Sequence, residues 1–160
     1  MVDTLRFWVA GVPAPQGSKD VFVFTTKSGK KVHNVVEVSK KVKPWRAAVR
    51  LAAQEAQVDR FEGPVSVGVT FYLKRPQDHF HQSKGEKVLR PDAPTWHHIR
   101  PDIDKLLRST FDGITESGVW QDDSQVAEVI ASKQYLHPAD SEMGAWVRIQ
   151  QRKEMGWTDR

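Results

Sequence analysis

Apolar and small or polar residues alternate through Val65-Ser66-Val67-Gly68-Val69-Thr70-Phe71-Tyr72-Leu73. A period of two is the mark of a strand with one face on a core and the other toward water. Residues 5–10 read the same way, dense in aromatic and branched side chains and closed by the turn residues Gly11, Pro13, Pro15 and Gly17. Residues 21–26 and 31–36 flank Ser28-Gly29-Lys30 and predict a hairpin. Residues 144–150 predict a last strand. The run 126–135 is apolar on both sides, with Ala127, Val129 and Ala131 on one and Val126 and Ile130 on the other, which predicts a central strand.

Elsewhere the period lengthens to that of a helix. Trp45, Ala48, Val49, Ala52 and Ala56 recur at core-facing spacing, so residues 44–57 are expected to form a helix opened by Pro44. Ile103, Leu106, Leu107, Phe111 and Ile114 define a second helix, with Asp104, Arg108 and Asp112 along its outer side. Asp102 is placed to cap its N-terminus through the side chain. Gly113 and Gly118 then let the chain leave the helix and turn into a short strand at Val119 and Trp120. Between the strand at 65–73 and this helix, residues 74–100 lose all periodicity. They read as a long polar loop holding Pro76, Pro91 and Pro94 and the histidines His79, His81, His97 and His98. The histidine spacing fits no zinc pattern, and their expected part is to shape access to the segment that follows.

These elements assemble as an α+β fold in a single small domain over residues 1–150, a mixed sheet with two helices packed against it. A polar tail, 151–160, is expected beyond it. The length of 160 residues suits one domain with a real core. The absence of cysteine removes disulfides, thiolate metal sites and cysteine nucleophiles from consideration. No apolar run is long enough to span a membrane, and the start Met1-Val2-Asp3-Thr4 lacks the charged and apolar regions of a signal peptide, so the expected location is the cytoplasm.

Charge sharpens the picture. A net charge of +4 suits an anionic partner. Lys19, Lys27, Lys30 and Lys31 cluster on the predicted hairpin, Arg46 lies on the first helix, and Lys84, Lys87 and Arg90 lie in the long loop. All are candidate contacts for a phosphate backbone, set against the plainer reading of solvated faces. In this basic chain the carboxylates concentrate at Asp102 and Asp104, opening the second helix, and at Asp122 and Asp123 beyond the next turn. Asp102 alone reads as a cap and the Asp122-Asp123 pair as a solvated turn. If the short strand runs back beside the helix start, however, Asp123 approaches Asp102 and Asp104. Three carboxylates in one small volume repel unless a cation sits among them, and an all-oxygen set favours Mg²⁺ or Mn²⁺. Lys133 reads as an ordinary strand-end lysine, with a path along the sheet toward that site.

The run Arg100-Pro101-Asp102-Ile103-Asp104-Lys105-Leu106-Leu107-Arg108, then Phe111-Asp112-Gly113-Ile114, then Gly118-Val119-Trp120-Gln121-Asp122-Asp123-Ser124-Gln125-Val126 resembles the RusA family of Holliday-junction resolvases. The opening Phe7-Trp8-Val9-Ala10-Gly11-Val12-Pro13-Ala14-Pro15 is similar to that family's first strand and Gly-x-Pro turn. The resemblance implies a Mg²⁺-dependent endonuclease, with Mn²⁺ as a substitute, in DNA recombination and repair. It implies a homodimer that nicks opposed strands of a four-way DNA junction, with Asp102, Asp104 and Asp123 holding the metal and Asp122 and Lys105 in support. Two positions depart from the family pattern. Lys105 stands where asparagine is usual, and Arg108 stands where a catalytic lysine is common. Arginine keeps the charge but cannot yield a proton. Those departures keep two other readings in view: a branched-DNA-binding protein with weakened chemistry, and a nuclease for flaps or other branched DNA.

Overall fold

A computed structural model describes residues 3–17, 20–25, 28–29, 31–36, 40–56 and 59–153. Of the candidate basic residues, Lys19, Lys27 and Lys30 lie outside the described residues, as does the tail from 154 on.

The alternating segments are strands. β1 (Thr4–Ala10), β4 (Val65–Leu73), β7 (Val126–Tyr135) and β8 (Gly144–Gln151) form one mixed sheet in the order β1-β8-β4-β7. β8 runs antiparallel to both β1 and β4, whereas β7 runs parallel to β4, from Val65 beside Val126 to Leu73 beside Tyr135. β2 (Asp20–Thr25) and β3 (Lys31–Val36) make the expected hairpin, and Lys31 opens β3. The alternation in β4 buries Val65, Val67, Val69, Phe71 and Leu73 on the face that also carries Phe7, Val9, Val147 and Ile149.

α1 (Val42–Ala56) and α2 (Ile103–Ser117) cover that face. α1 begins two residues before Pro44, which therefore occupies the first turn, where a missing N–H leaves no helical bond unmade. Val42 joins Trp45, Val49 and Ala53 in the core. α2 contributes Leu106 and Ile114, with Ile103, Leu107 and Phe111 packed at the margin. The two helices touch at Gly113, which lies inside α2 rather than at its exit. A Cβ there would stand 2.8 Å from Val49 Cβ and 2.9 Å from the Arg46 carbonyl oxygen. Trp45 Nε1 crosses to Thr110 Oγ1 at 3.1 Å, so the buried indole N–H is satisfied.

Three expectations are corrected. Residues 74–100 contain a 3-10 turn (Gln77–His79) and a hairpin of β5 (Phe80–Ser83) and β6 (Glu86–Leu89), with Lys84 and Gly85 at its tip. The helix exits only at Gly118, whose φ of 83° is the left-handed turn that glycine adopts without strain. Val119 and Trp120 then form a buried turn and not a strand, with Trp120 Nε1 bonded to Thr115 Oγ1 at 2.7 Å and its ring edge-on to Phe111. Finally, β7 lies at the edge of the sheet. Its two-sided apolarity leaves Ile130 71% exposed and Val129 42% exposed.

Candidate active site

Asp102 and Asp104 sit in the opening turn of α2, both exposed to solvent. Asp102 occupies the N-cap position in extended conformation, but its carboxylate makes no capping bond. It meets Lys105 Nζ instead, at 3.0 Å. That ammonium, by hydrogen bond and by charge, is the main reason the Asp102 carboxyl ionises below its ordinary value, with weaker pulls from Arg100 and Lys133. Arg108 follows one turn after Asp104 and is also exposed.

The second acidic pair is elsewhere. Asp122 caps a 3-10 turn (Asp123–Gln125), accepting the Ser124 N–H at 2.9 Å, and the Ser124 hydrogen bonds hold its carboxyl low. Gln125 locks this turn in place. Its Oε1 accepts the N–H groups of Gln121 and Asp122, while its Nε2 donates to the carbonyls of Phe61 and Gly63, beside the start of β4. Asp123 is therefore fixed at the end of the sheet where β4 and β7 begin.

Asp102 lies at the other end. Lys133, near the close of β7, donates from Nζ to the carbonyls of Ile99 and Pro101, each at 2.7 Å, just ahead of Asp102. From Val126 to Lys133 an extended strand covers about 23 Å, and the 15 residues of α2 cover about 22 Å in the opposite sense. Both routes put Asp123 on the order of 20 Å from Asp102 and Asp104 within one chain. The expected return of the chain beside the helix start does not occur. Among the described residues, no three His, Asp or Glu side chains of one chain converge to hold a metal ion. The donor chemistry of Asp102 and Asp104, two exposed carboxyl side chains with one residue between them, suits a hard divalent cation, but a single chain brings only this pair.

The segment leading into Asp102 is tied to the end of β7. Tyr135 N–H donates to the Thr95 carbonyl at 2.9 Å and His97 N–H to the Lys133 carbonyl at 3.0 Å, and Trp96 bridges Gln134. Arg75 donates to the carbonyls of Pro94 and Leu136 with its guanidinium over the Tyr135 ring. His97 is buried against Tyr135, and burial first, then the Lys133 charge, lowers its pKa from 6.5. Nothing local in the sequence distinguishes Lys133 or Gln125 as residues that hold loops, because the bonds with which they do so reach 32 to 64 residues away, to carbonyls that carry no side-chain identity.

The basic candidates divide. Arg46 is only partly exposed. Its Nη2 lies 2.9 Å from Asp112 and 2.7 Å from Gln16 Oε1, tying α1 to the outer side of α2. Asp112 is correspondingly half-buried. Lys84 is exposed at the tip of the β5–β6 hairpin, Lys87 lies over the Phe80 ring with its ammonium on Gln77, and Arg90 reaches Asp92 at 3.5 Å. A cleft of about 300 Å³ beneath this hairpin is lined by Lys74, Arg75, Lys87 and His137, and by none of the three aspartates. No helix of the described residues is long and apolar enough to cross a membrane.

The family model described as Endodeoxyribonuclease RusA matches residues 22–149, a span that includes both helices, all four aspartates of the two acidic pairs, Arg108 and Lys133. No curated protein matches the chain significantly.

Proposed function

Because the chain belongs to the RusA endodeoxyribonuclease family, we propose that it is a Mg²⁺-dependent endonuclease that resolves four-way DNA junctions by paired, symmetric phosphodiester hydrolysis in recombination and repair. The observation that carries this reading is the exposed carboxylate pair, Asp102 and Asp104, at the start of α2, with the cation of Arg108 one turn further on.

Asp102 and Asp104 hold the metal, and Asp123 completes the set. Bound there, Mg²⁺, or Mn²⁺ in its place, supplies Lewis-acid activation of water and of the scissile phosphate. Arg108 offers a planar, permanently charged donor fork to the phosphate oxygens as charge builds on them. Asp122, already engaged with Ser124, steadies the turn that carries Asp123. The exposed Lys84, Lys87 and Arg90 give the DNA backbone a sequence-independent hold.

The separation of Asp123 from Asp102 supports a homodimer. β7 pairs only with β4, and below Lys133 its outer edge has no partner strand among the described residues. Such an edge, with Val129 and Ile130 exposed on it, is a template for pairing with another strand. Two copies paired antiparallel along the lower part of β7 about a two-fold axis would bring Asp123 of each to the end of the other that carries Asp102 and Asp104. Both sites would then be shared, and a symmetric junction presents two symmetry-related phosphates to them.

The test mixes two inactive variants, Asp104→Asn and Asp123→Asn, on a mobile four-way junction in Mg²⁺, Mn²⁺ and EDTA. Shared sites predict that each variant alone binds junctions without cutting, while the mixture regains metal-dependent nicking, because one site of the mixed dimer keeps all its aspartates. A mixture as inactive as its components rules out sharing. Cutting of flaps or linear duplex in preference to the junction moves the substrate to other branched DNA.

One observation favours a second reading. Lys105 already neutralises Asp102 at 3.0 Å, as suits a branched-DNA-binding protein with weakened chemistry. Tight junction binding in EDTA, with no product in either metal, selects that reading.

A further inference from the structure

Asp102 stands between a long irregular segment and a helix, and its own side chain makes no capping bond that would hold it to the helix. Something else must determine where its carboxylate points. On the helical side the Asp102 carbonyl accepts Leu106 N–H at 3.1 Å. On the other side the answer comes from β7. Main-chain bonds tie Thr95 to Tyr135 and His97 to Lys133, and there the ladder stops. It cannot continue through residue 101, since proline has no N–H to give.

Beyond His97 the Lys133 side chain takes over. Its ammonium reaches the next carbonyls on the same side of the segment, Ile99 and Pro101, both at 2.7 Å. Bonds from a charged donor are shorter and about twice as strong as neutral ones. The Pro101 carbonyl is part of the planar peptide unit whose far end is the Asp102 N and Cα. Holding that oxygen therefore fixes the plane from which the Asp102 side chain departs. The ammonium is removed in part from water, which lowers its pKa, while the Asp102 charge opposes that shift. It thus lies near enough to Asp102 to feel its charge while it holds the carbonyls.

We propose that Lys133 is the positioning residue of the acidic site, clamping the Ile99 and Pro101 carbonyls so that Asp102 is presented to the metal from the start of α2. This rests on the endonuclease reading given above, and Lys133 itself touches neither metal nor DNA in it. Residues that orient a ligand of a metal typically change metal affinity or activity 10–100-fold when removed. Removing the clamp should act in that way, while the core beneath Phe71 and Tyr135 stays packed.

The experiment compares the full-length wild type with Lys133→Met, which keeps the apolar stem, and Lys133→Arg, which keeps donors for both carbonyls. Mn²⁺ binding is titrated without DNA by calorimetry, and amide exchange is followed by NMR without metal. For Lys133→Met the expected results are Mn²⁺ affinity weakened roughly 10–100-fold and faster exchange confined to the amides around Asp102 and Asp104. Lys133→Arg should bind Mn²⁺ within a few-fold of the wild type. Lys133→Met binding Mn²⁺ as tightly as the wild type overturns the assignment, as does exchange that rises equally across β4 and β8, which would mark a general loss of stability. A wild type that neither binds Mn²⁺ nor cuts a junction overturns the endonuclease reading itself and the assignment with it.

Discussion

Lys105 Nζ lies 3.0 Å from the Asp102 carboxylate, three residues back along the first turn of α2. Any metal that uses Asp102 must compete with this ammonium. Replacing it with the amide that the RusA pattern usually carries leaves the carboxylate uncompensated and free to turn. Lys105→Asn should therefore tighten Mn²⁺ binding by a small factor, about two- to five-fold, the size expected of an exposed ion pair. Titration at low ionic strength, where such a pair is least screened, is the sensitive measurement. Weaker binding in the variant would show that Lys105 supports the site.

Gly113 is where α1 and α2 come closest, and it has no room for a side chain. A methyl group would meet Val49 Cβ at 2.8 Å and the Arg46 carbonyl at 2.9 Å, one of them backbone that cannot step aside alone. Gly113→Ala normally favours a helix, yet here overpacking outweighs propensity. The expected cost is about 2 kcal/mol, or a fall in Tm of roughly 4–8 °C for a domain of this size. Calorimetry would read it, and an unchanged or higher Tm would mean that the helices do not meet at this residue.

His97 should make stability depend on pH in a window that the carboxylates do not share. Burial against Tyr135 and the Lys133 charge lower its pKa in the fold below 6.5, so the unfolded chain binds a proton more readily than the folded one. The contribution is complete above pH 6.5 and is lost as pH falls through the lowered value. The depressed carboxyls of Asp102 and Asp122 act only in acid, as pH drops below 3.8. Urea midpoints compared at pH 7.5 and 5.5 should fall for the wild type and fall less for His97→Phe, which keeps a ring against Tyr135 without a proton to bind. Equal slopes would mean that His97 is solvated.

The strands and helices whose faces differ were readable from the chain. β4 alternates without a break, and α1 and α2 repeat their apolar residues at helical spacing, so burial follows composition residue by residue. The β5–β6 hairpin is exposed on nearly every residue, and a strand with no buried face has no alternation to read. β7 misled for the converse reason. Apolar residues on both sides usually mark a strand covered on both sides, but Val129 and Ile130 face outward at a sheet edge. The acidic residues themselves were legible as types. Their distance was not, because it depends on which end of a parallel strand pair each one joins, and that is settled by Gln125 on Phe61 and Gly63 at one end and Lys133 on Ile99 and Pro101 at the other.

Arg108 tests which property of a cation the reaction uses. It is exposed on α2 one turn past Asp104, so its guanidinium can reach a phosphate engaged at the acidic pair. Arginine stabilises negative charge well and donates a proton hardly at all, whereas lysine is a compact charge that can do both. If charge alone matters, Arg108→Ala should lower the cleavage rate at saturating junction about 10²- to 10³-fold, with junction affinity changed only a few-fold. Arg108→Lys should then retain the rate with an unaltered pH profile. If proton donation to the leaving oxygen limits the native enzyme, Arg108→Lys should instead cut faster than the wild type and acquire a falling limb at alkaline pH as the new ammonium titrates. Single-turnover rates from pH 6 to 10 separate the two. An Arg108→Ala variant that cuts at the wild-type rate would exclude residue 108 from the chemistry altogether and leave the aspartates to act without it.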